Sequence, residues 1–313
     1  MRTQKEFRVF ADSGPGVRLD VFLARQIRDF TRSQFQRFID KKQVTVNGAF
    51  PKPSLKLRAG DRVAVDIDIP EAEPVRPEPI PLVFLHVDDD LAVINKPSGL
   101  VVHPGAGRRT GTLVGALLHH FPEIAAVGPE ERSGIVHRLD AETSGAIVVA
   151  RREKAYLELK RQFKDREVKK IYLALVWGAL AESEGTLDWP IGRHWTDGQR
   201  YSVTTRKPRV AITHFRVLRR LDGFTYLEVH PHTGRTHQIR VHLAAAGHPV
   251  CGDRRYGGQK GRPKFPRLFL HAHLLGFRHP TTGRLMEFRA PLPPELEAVL
   301  AGLPGGPPES LSS

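Results

Sequence analysis

The chain has 313 residues, 40% hydrophobic and 26% charged, a composition that supplies a folded core and excludes wholesale disorder. Its 48 Lys and Arg outnumber 34 Asp and Glu, leaving a formal net charge of +14 that points to a polyanion, nucleic acid or an anionic membrane surface. No run approaches the ~18 consecutive apolar residues of a spanning helix, and the single cysteine, Cys251, excludes a disulfide framework or a thiolate metal cluster.

The first segment, Met1 to Gly14, mixes Arg2, Lys5, Glu6, Arg8 and Asp12 with isolated apolar residues, so it has no signal-peptide core and a cytoplasmic protein is expected. Leu19, Phe22, Leu23 and Ile27 recur at helical spacing. Thr31 stands three residues before Gln34 as a capping box, and Phe35, Phe38 and Ile39 give a second helix its apolar face. Lys41 and Lys42 close that helix at its negative end. Val44, Thr45 and Val46 alternate as a strand before the Asn47-Gly48 turn, and Val63, Val65 and Ile67 alternate after Gly60-Asp61. Arg18, Arg25, Arg28, Arg32, Arg37, Lys41 and Lys42 crowd onto the helical part of this block.

Pro70, Pro74, Pro77, Pro79 and Pro81, interleaved with Glu71, Glu73 and Glu78, read as a semi-rigid spacer. Beyond it, Leu91–Ile94, Ala146–Val149, Ile171–Val176, Phe224–Val229 and Leu268–His271 read as strands. Tyr156, Leu159 and Phe163 mark one helix; Ile239, Leu243 and Ala246 mark another, closed by Gly247 and Pro249. The connections resemble hairpins more than regular crossovers, so an α+β fold with a mainly antiparallel sheet is expected. The resulting division is 1–69, a spacer over 70–82, a large domain over 83–300 and a Gly/Pro/Ser-rich flexible tail over 301–313.

Fifteen histidines invite a metal. His232, His237 and His242 are spaced by five, which suits neither a helix face nor a strand face, whereas His271 and His273 share a strand face. No acid or cysteine stands at a helpful spacing beside them, so no metal is expected. Gly105 to Gly111 resembles a dinucleotide loop only loosely: Pro104 interrupts the preceding strand, and no Gly-Lys-Thr/Ser follows. The strongest local signal is Gly134 to Gly145, Gly-Ile-Val-His-Arg-Leu-Asp-Ala-Glu-Thr-Ser-Gly. It sets one carboxylate, Asp140, on a loop beside hydroxyl and backbone donors, where it serves as a nucleophile or general base, or merely forms an Asx turn with Thr143.

Two resemblances decide among these readings. Arg18-Leu19-Asp20, Thr31-Arg32-Ser33, Val44 to Gly48 and Gly60 to Val63 resemble the S-four RNA-binding domain, although Lys42-Gln43 stands where that family usually has glycine. His137-Arg138-Leu139-Asp140 with Thr143-Ser144-Gly145 resembles the signature of the RluA family of RNA pseudouridine synthases. Val93 to Pro104, Lys170 to Gly178, and Gly234 to His242 continuing to Asp253 resemble three further motifs of that family, in its order, with the closest likeness to its RluD type.

The resemblance implies a pseudouridine synthase fold acting without cofactor on large-subunit ribosomal RNA, as free RNA or in a particle, and a protein expected to be monomeric. It maps the essential carboxylate onto Asp140. Tyr172 would stack on the base and help remove the carbon-5 proton, and Arg240 would pair with Asp140, with Arg235 as the competing arginine. Arg138 would fill the space of the flipped base; His137 and Arg235 would touch RNA in the cleft, and Arg18, Arg32, Lys41 and Lys42 from the N-terminal block. Two alternatives stand beside this: a ribosome-assembly factor on the same fold with the chemistry secondary or lost, and a metal-dependent hydrolase using His271 and His273.

Overall fold

The computed structural model describes residues 2–10, 15–27, 29–68, 74–105, 110–197, 200–257 and 264–305; Arg28, the Pro70–Glu73 start of the spacer, Ala106 to Arg109 of the glycine loop and the tail from Gly306 onward lie outside them. The chain divides into two compact units, Met1–Glu73 and Pro74–Ser313.

In the first unit, β1 (Arg2–Arg8), α1 (Leu19–Gln26), α2 (Arg32–Asp40), β2 (Val44–Val46) and β3 (Arg62–Asp68) form a helical pair and an antiparallel sheet of order β1-β3-β2. Strand β1 has no strong apolar alternation; it is an edge strand held by its backbone ladder on β3, with Phe7 packed against the core. The capping box at Thr31 forms as expected, Gln34 reaching back to the Thr31 N–H at 2.8 Å. Lys42 adopts φ 59° just before β2, the left-handed conformation that glycine would take with less strain. Asp20 is fully buried and accepts hydrogen bonds from Arg18 (3.0 Å), Arg32 (3.0 Å) and Gln36 (2.6 Å), tying α1 to α2. Burial alone would raise the acid's pKa, but the hydrogen bonds from Arg18, Gln36 and Arg32 overrule it and hold the carboxyl well below the usual range.

The second unit is an α+β fold. Its elements are β4 (Val83–Val87), β5 (Leu91–Lys96), α3 (Leu113–His120), β6 (Ser144–Ala150), α4 (Glu153–Asp165), β7 (Lys169–Trp177), β8 (Glu184–Leu187), β9 (Gly192–Arg193), β10 (Tyr201–Ser202), β11 (Thr213–Leu221), β12 (Phe224–Pro231), α5 (Gln238–Ala245), β13 (Leu270–Arg278), β14 (Leu285–Arg289) and α6 (Pro294–Ala301). Among the described residues, nine strands join in the order β4-β5-β6-β13-β7-β12-β11-β8, with β14 also on β13; only β6 and β13 pair in parallel. Strands β5 and β6 are apolar over Leu91–Ile94 and Ala146–Ala150 because both faces are covered there. Ala92, Ile94, Ile147 and Val149 meet Leu113, Val114 and Leu117 of α3, while Val93, Ala146 and Val148 meet Tyr156 and Leu159 of α4. Each Val, Leu or Ile among them contributes about 1.5–3 kcal/mol of burial. Helix α3 has no counterpart among the elements expected from sequence: Leu113 to Leu118 is buried all round, and an apolar run that short carries no helical period. Thr112 starts it by accepting the Gly115 N–H.

The segment expected as a spacer is seated on this unit from Pro74 onward. Val75, Ile80 and Leu82 pack beside α3, the Glu78 N–H donates to the Gly115 carbonyl (2.8 Å), and the Glu78 carboxylate accepts the Gly111 N–H (2.7 Å). A Cβ at Gly115 would strike that carboxylate. The start of the expected tail is also engaged, with Ala301 in α6, Leu303 against the core, and the Pro304 carbonyl accepting the Asp222 N–H. A fragment starting at residue 74 is therefore expected to unfold in urea near the large unit of the full chain. One starting at 83 lacks three half-covered apolar side chains and the Glu78 hydrogen bonds and is expected to be roughly 3 kcal/mol less stable. Equal urea midpoints for the two fragments would show that the strap adds nothing.

Candidate active site

The loop preceding β6 turns tightly: the Thr143 N–H donates to the Asp140 carbonyl at 3.1 Å. It lands on β13 through Gly145, at φ 114°, where any Cβ would run into the Ala272 carbonyl. The Thr-Ser-Gly sequence after Asp140 thus permits the close parallel approach of β6 to β13. From below, Lys96 at the end of β5 is fully buried and donates to the carbonyls of Pro97 (2.8 Å), Leu100 (2.9 Å) and Ala141 (3.0 Å). Burial lowers the Lys96 pKa toward about 7, opposed by the charge of Asp140. Its three carbonyl partners match the three donors of an ammonium, so we assign the charged form.

Arg240, in the first turn of α5, faces this loop. Its Nε and Nη2 form a buried two-pronged pair with Asp253 (2.7 and 2.9 Å), leaving Nη1 to reach Asp140 Oδ2 at 3.3 Å. Glu142 lies 3.5 Å from Nη2. Burial disfavours the guanidinium's charge, but Asp253, Asp140 and Glu142 outweigh it and raise its pKa. Asp253 is in turn held ionised: burial pushes it up, and Arg240 with the N–H groups of Tyr256 and Arg255 brings it below its ordinary value. His237, at φ 56° before α5, bonds Tyr256 through Nδ1 (2.8 Å) and sets Nε2 3.9 Å from Asp140 Oδ1, too far for a hydrogen bond. Burial keeps His237 below its usual pKa.

Asp140, Arg240 and Tyr172 line one cleft of 480 Å³. Tyr172 reaches it from β7; burial, reinforced by Asp140's charge, raises its pKa, so it stands as a neutral phenol. Arg138 is exposed on the cleft wall. His137 and Arg235 also line the cleft, but with prior commitments. His137 stacks on Phe163 (4.3 Å between centroids) and accepts the Val148 N–H through Nε2; burial and the charge of Lys170 lower its pKa to about 3, so it is no cation toward RNA. The Arg235 Nε donates to the Val210 carbonyl (2.9 Å), and it is Arg240 that meets Asp140.

The other histidines part company. His232 is exposed at the cleft, while His242 is buried between Thr213 and the Trp189 carbonyl. His271 accepts from Ser144 Oγ (2.8 Å) and donates to the Ala290 carbonyl, which His273 also bonds. Both are core hydrogen-bonders, and among the described residues no group of three or more His, Cys, Asp and Glu is placed to hold a metal. In the first unit, Arg18 and Arg32 are spent largely on Asp20, although Arg32 engages only its Nε; Lys41 and Lys42 are exposed, Lys42 over the Phe50 ring at 5.6 Å. Sequence reasoning gives no role to Lys96, Asp253 or Tyr256. The signals for the first two are a lysine ending an apolar strand and the Gly252-Asp253 that follows the arginine motif.

A carboxylate held beside a locked arginine, with a phenol lining the same cleft among several cations, is a constellation suited to acid–base or nucleophilic chemistry on an anionic substrate. Comparisons agree on the family. The RNA pseudouridylate synthase model matches residues 90–245 and the S4 domain model residues 17–63. An uncharacterized RNA pseudouridine synthase of Aquifex aeolicus is 44% identical over 308 residues, 95% of this chain and 96% of its own. Ribosomal large subunit pseudouridine synthase D of Xanthomonas campestris is 42% identical, over 94% of this chain and 91% of its own. The solved structure of human RNA pseudouridylate synthase domain containing 1 superposes with a TM-score of 0.60 at 34% identity, over 74% of this chain and 91% of that one. The chain belongs to the RNA pseudouridine synthase family, and its first unit carries an S-four domain.

Asp253→Asn keeps the shape of the clamp and removes its charge, so Arg240 is expected to lose its fixed aim. Turnover of RNA is expected to fall roughly 100-fold, about 2.7 kcal/mol of barrier. The check is kcat of the folded variant; unchanged turnover would mean that Asp140 and Glu142 suffice to hold the guanidinium.

Proposed function

We propose that the protein isomerises specific uridines of large-subunit ribosomal RNA to pseudouridine, in the cytoplasm, with Asp140 as the essential carboxylate. The observation that carries this is the Asp140–Arg240–Asp253 chain opening into a cleft of the size that takes a single small ligand. The large-subunit substrate rests on the names of relatives such as that of Xanthomonas campestris. The target uridine must leave its stack to enter, and Arg138, exposed at the cleft, would fill the gap. The reaction breaks the bond from ring nitrogen-1 to the sugar and forms one from carbon-5; carbon-5 loses a proton and nitrogen-1 gains one, so atoms and electrons balance without redox or energy input.

Asp140 acts on the sugar, as nucleophile or as base, with Arg240 orienting it through Nη1. Tyr172 is assigned to stacking on the base. Its raised pKa opposes a phenolate, so a role at carbon-5 needs the phenol oxygen to accept a proton as a neutral group or to pass it onward. The first unit works on affinity, through Lys41, Lys42, Arg37 and the free edge of Arg32.

Asp140→Asn preserves shape and removes the reacting charge. Product formation, read as pseudouridine in a large-subunit RNA transcript, is expected to fall below detection with RNA affinity kept within a few-fold; appreciable turnover, after checking for deamidation to the acid, would end the assignment. A fragment from residue 74 is expected to bind RNA more weakly, with a slope of log affinity against log salt shallower by about 0.7–0.9 for every phosphate that the first unit neutralises. Loss of its saturated rate instead would place the first unit in the chemistry.

A further inference from the structure

One side of the cleft holds cations that the chemistry above does not use. Lys164 near the end of α4, Arg166 at its cap and Lys170 at the start of β7 all line the cavity that contains Asp140. Two charged neighbours on the same two elements are paired: Arg161 with Glu158, Asp165 and Glu167, and Lys169 with Glu287 at 2.8 Å. Lys164, Arg166 and Lys170 have no ion pair or side-chain hydrogen bond among the described residues. Their neighbours' acids are therefore consumed on one side, while these three face the cleft with unspent charge.

Two further observations show that this arrangement is kept against local physics. Arg166 ends α4 in the left-handed conformation, φ 64° and ψ 29°, where glycine or asparagine is the unstrained choice. Lys170 is half-buried, and burial together with the charge of Arg166 lowers its pKa to about 8. Like charges crowded into a partly desolvated corner repel one another; an anion between them removes that cost.

We propose that Lys164, Arg166 and Lys170 form a phosphate subsite, which grips the RNA backbone next to the uridine held at Asp140. The subsite rests on the reading of the cleft as an RNA-modifying site. Its geometry suits that use, because an extruded nucleotide carries its flanking phosphates to the mouth of the pocket that takes the base. It also gives the second unit a hold on RNA that is independent of the S-four domain.

The test uses the full chain and a large-subunit ribosomal RNA transcript, with binding measured across a salt series. Arg166→Gly fits the left-handed cap, so it is expected to melt no lower than the parent. It should nonetheless bind RNA about tenfold more weakly, with a salt slope shallower by about 0.7–0.9, the signature of one phosphate left without its cation. Lys170→Met should show the same pair of changes. Lys154→Gln removes one exposed charge from the same helix away from the cleft and should leave affinity and slope near those of the parent. Parental affinity and slope in Arg166→Gly, or a loss no larger than that of Lys154→Gln, would overturn the subsite. Pseudouridine formation by the parent on the same transcript is scored separately. If it fails while Arg166→Gly still loses affinity and slope, the isomerase reading falls and an RNA contact remains; if it succeeds and the variants bind as the parent does, only the subsite falls.

Discussion

A guanidinium buried as deeply as that of Arg240 is tolerated only with a counter-charge that saturates its donors, and Asp253 supplies it through two parallel hydrogen bonds. Much of the site follows from that one requirement. Two of the three nitrogens are taken, so the third has a fixed direction, and it points at Asp140. Asp253 cannot drift either, because its Oδ1 also accepts the N–H groups of Arg255 and Tyr256, and Tyr256 bonds the histidine that precedes α5. The pair joins the start of α5 to the loop after it, and the pair's spare donor joins both to the loop before β6. Removing either charge would leave the other buried without compensation, which is why this chain of contacts is more informative than the isolated acid.

The same loop is fixed from the sheet. Strand β13 stands between β6 and β7, so it separates the element that follows Asp140 from the element that carries Tyr172. Its parallel contact with β6 is short, His271 with Ser144 and Ala272 with Gly145, and it is reinforced by Ser144 donating to His271 while accepting from Arg267. The two residues that look most like a metal pair in the sequence are thus part of the seam. A histidine whose two nitrogens serve Ser144 and Ala290 holds β6, β13 and the segment after β14 in register. Strand register gives the Asp140 loop its footing, and Lys96 adds to it by binding the Ala141 carbonyl from β5.

How much of this is legible in the sequence follows from what each signal encodes. Apolar runs on β5, β6, β7 and β12 and the capping box of α2 are local, and each marks an element that the structure contains. Helix α3 and strand β1 carry no such mark: one is buried on every side and shows no period, the other is polar and exists through pairing with β3. The α+β class is accessible from the connections and from the family resemblance. Sequence offers Asp140, Tyr172 and Arg240 as candidates, and the fold brings all three to one cleft. Partnership is less accessible. Nothing in the spacing of His137 shows that β6 occupies its Nε2, and nothing in that of Arg235 shows that the Val210 carbonyl occupies its Nε. Asp253 lies 13 residues from Arg240, and only folding shows that it is the clamp.

Net charge poses the same problem on a larger scale. A surplus of +14 says that cations outnumber acids, but affinity for a polyanion depends on which cations are unspent. Arg18 and Arg32 contribute to the surplus and yet give much of their hydrogen-bonding to Asp20, a structural use that holds two helices together. Arg161 is more fully committed, to three acids. By contrast Lys41, on the first unit, and Arg138, Lys164, Arg166 and Lys170, on the second, keep their charge available. Arg166 adds a further indication, since a strained backbone at a cap is not needed to end a helix when glycine does so without cost. A cation in such a position, on the cleft side of a helix whose neighbouring Arg161 is neutralised in place, is best accounted for by the ligand that enters the cleft.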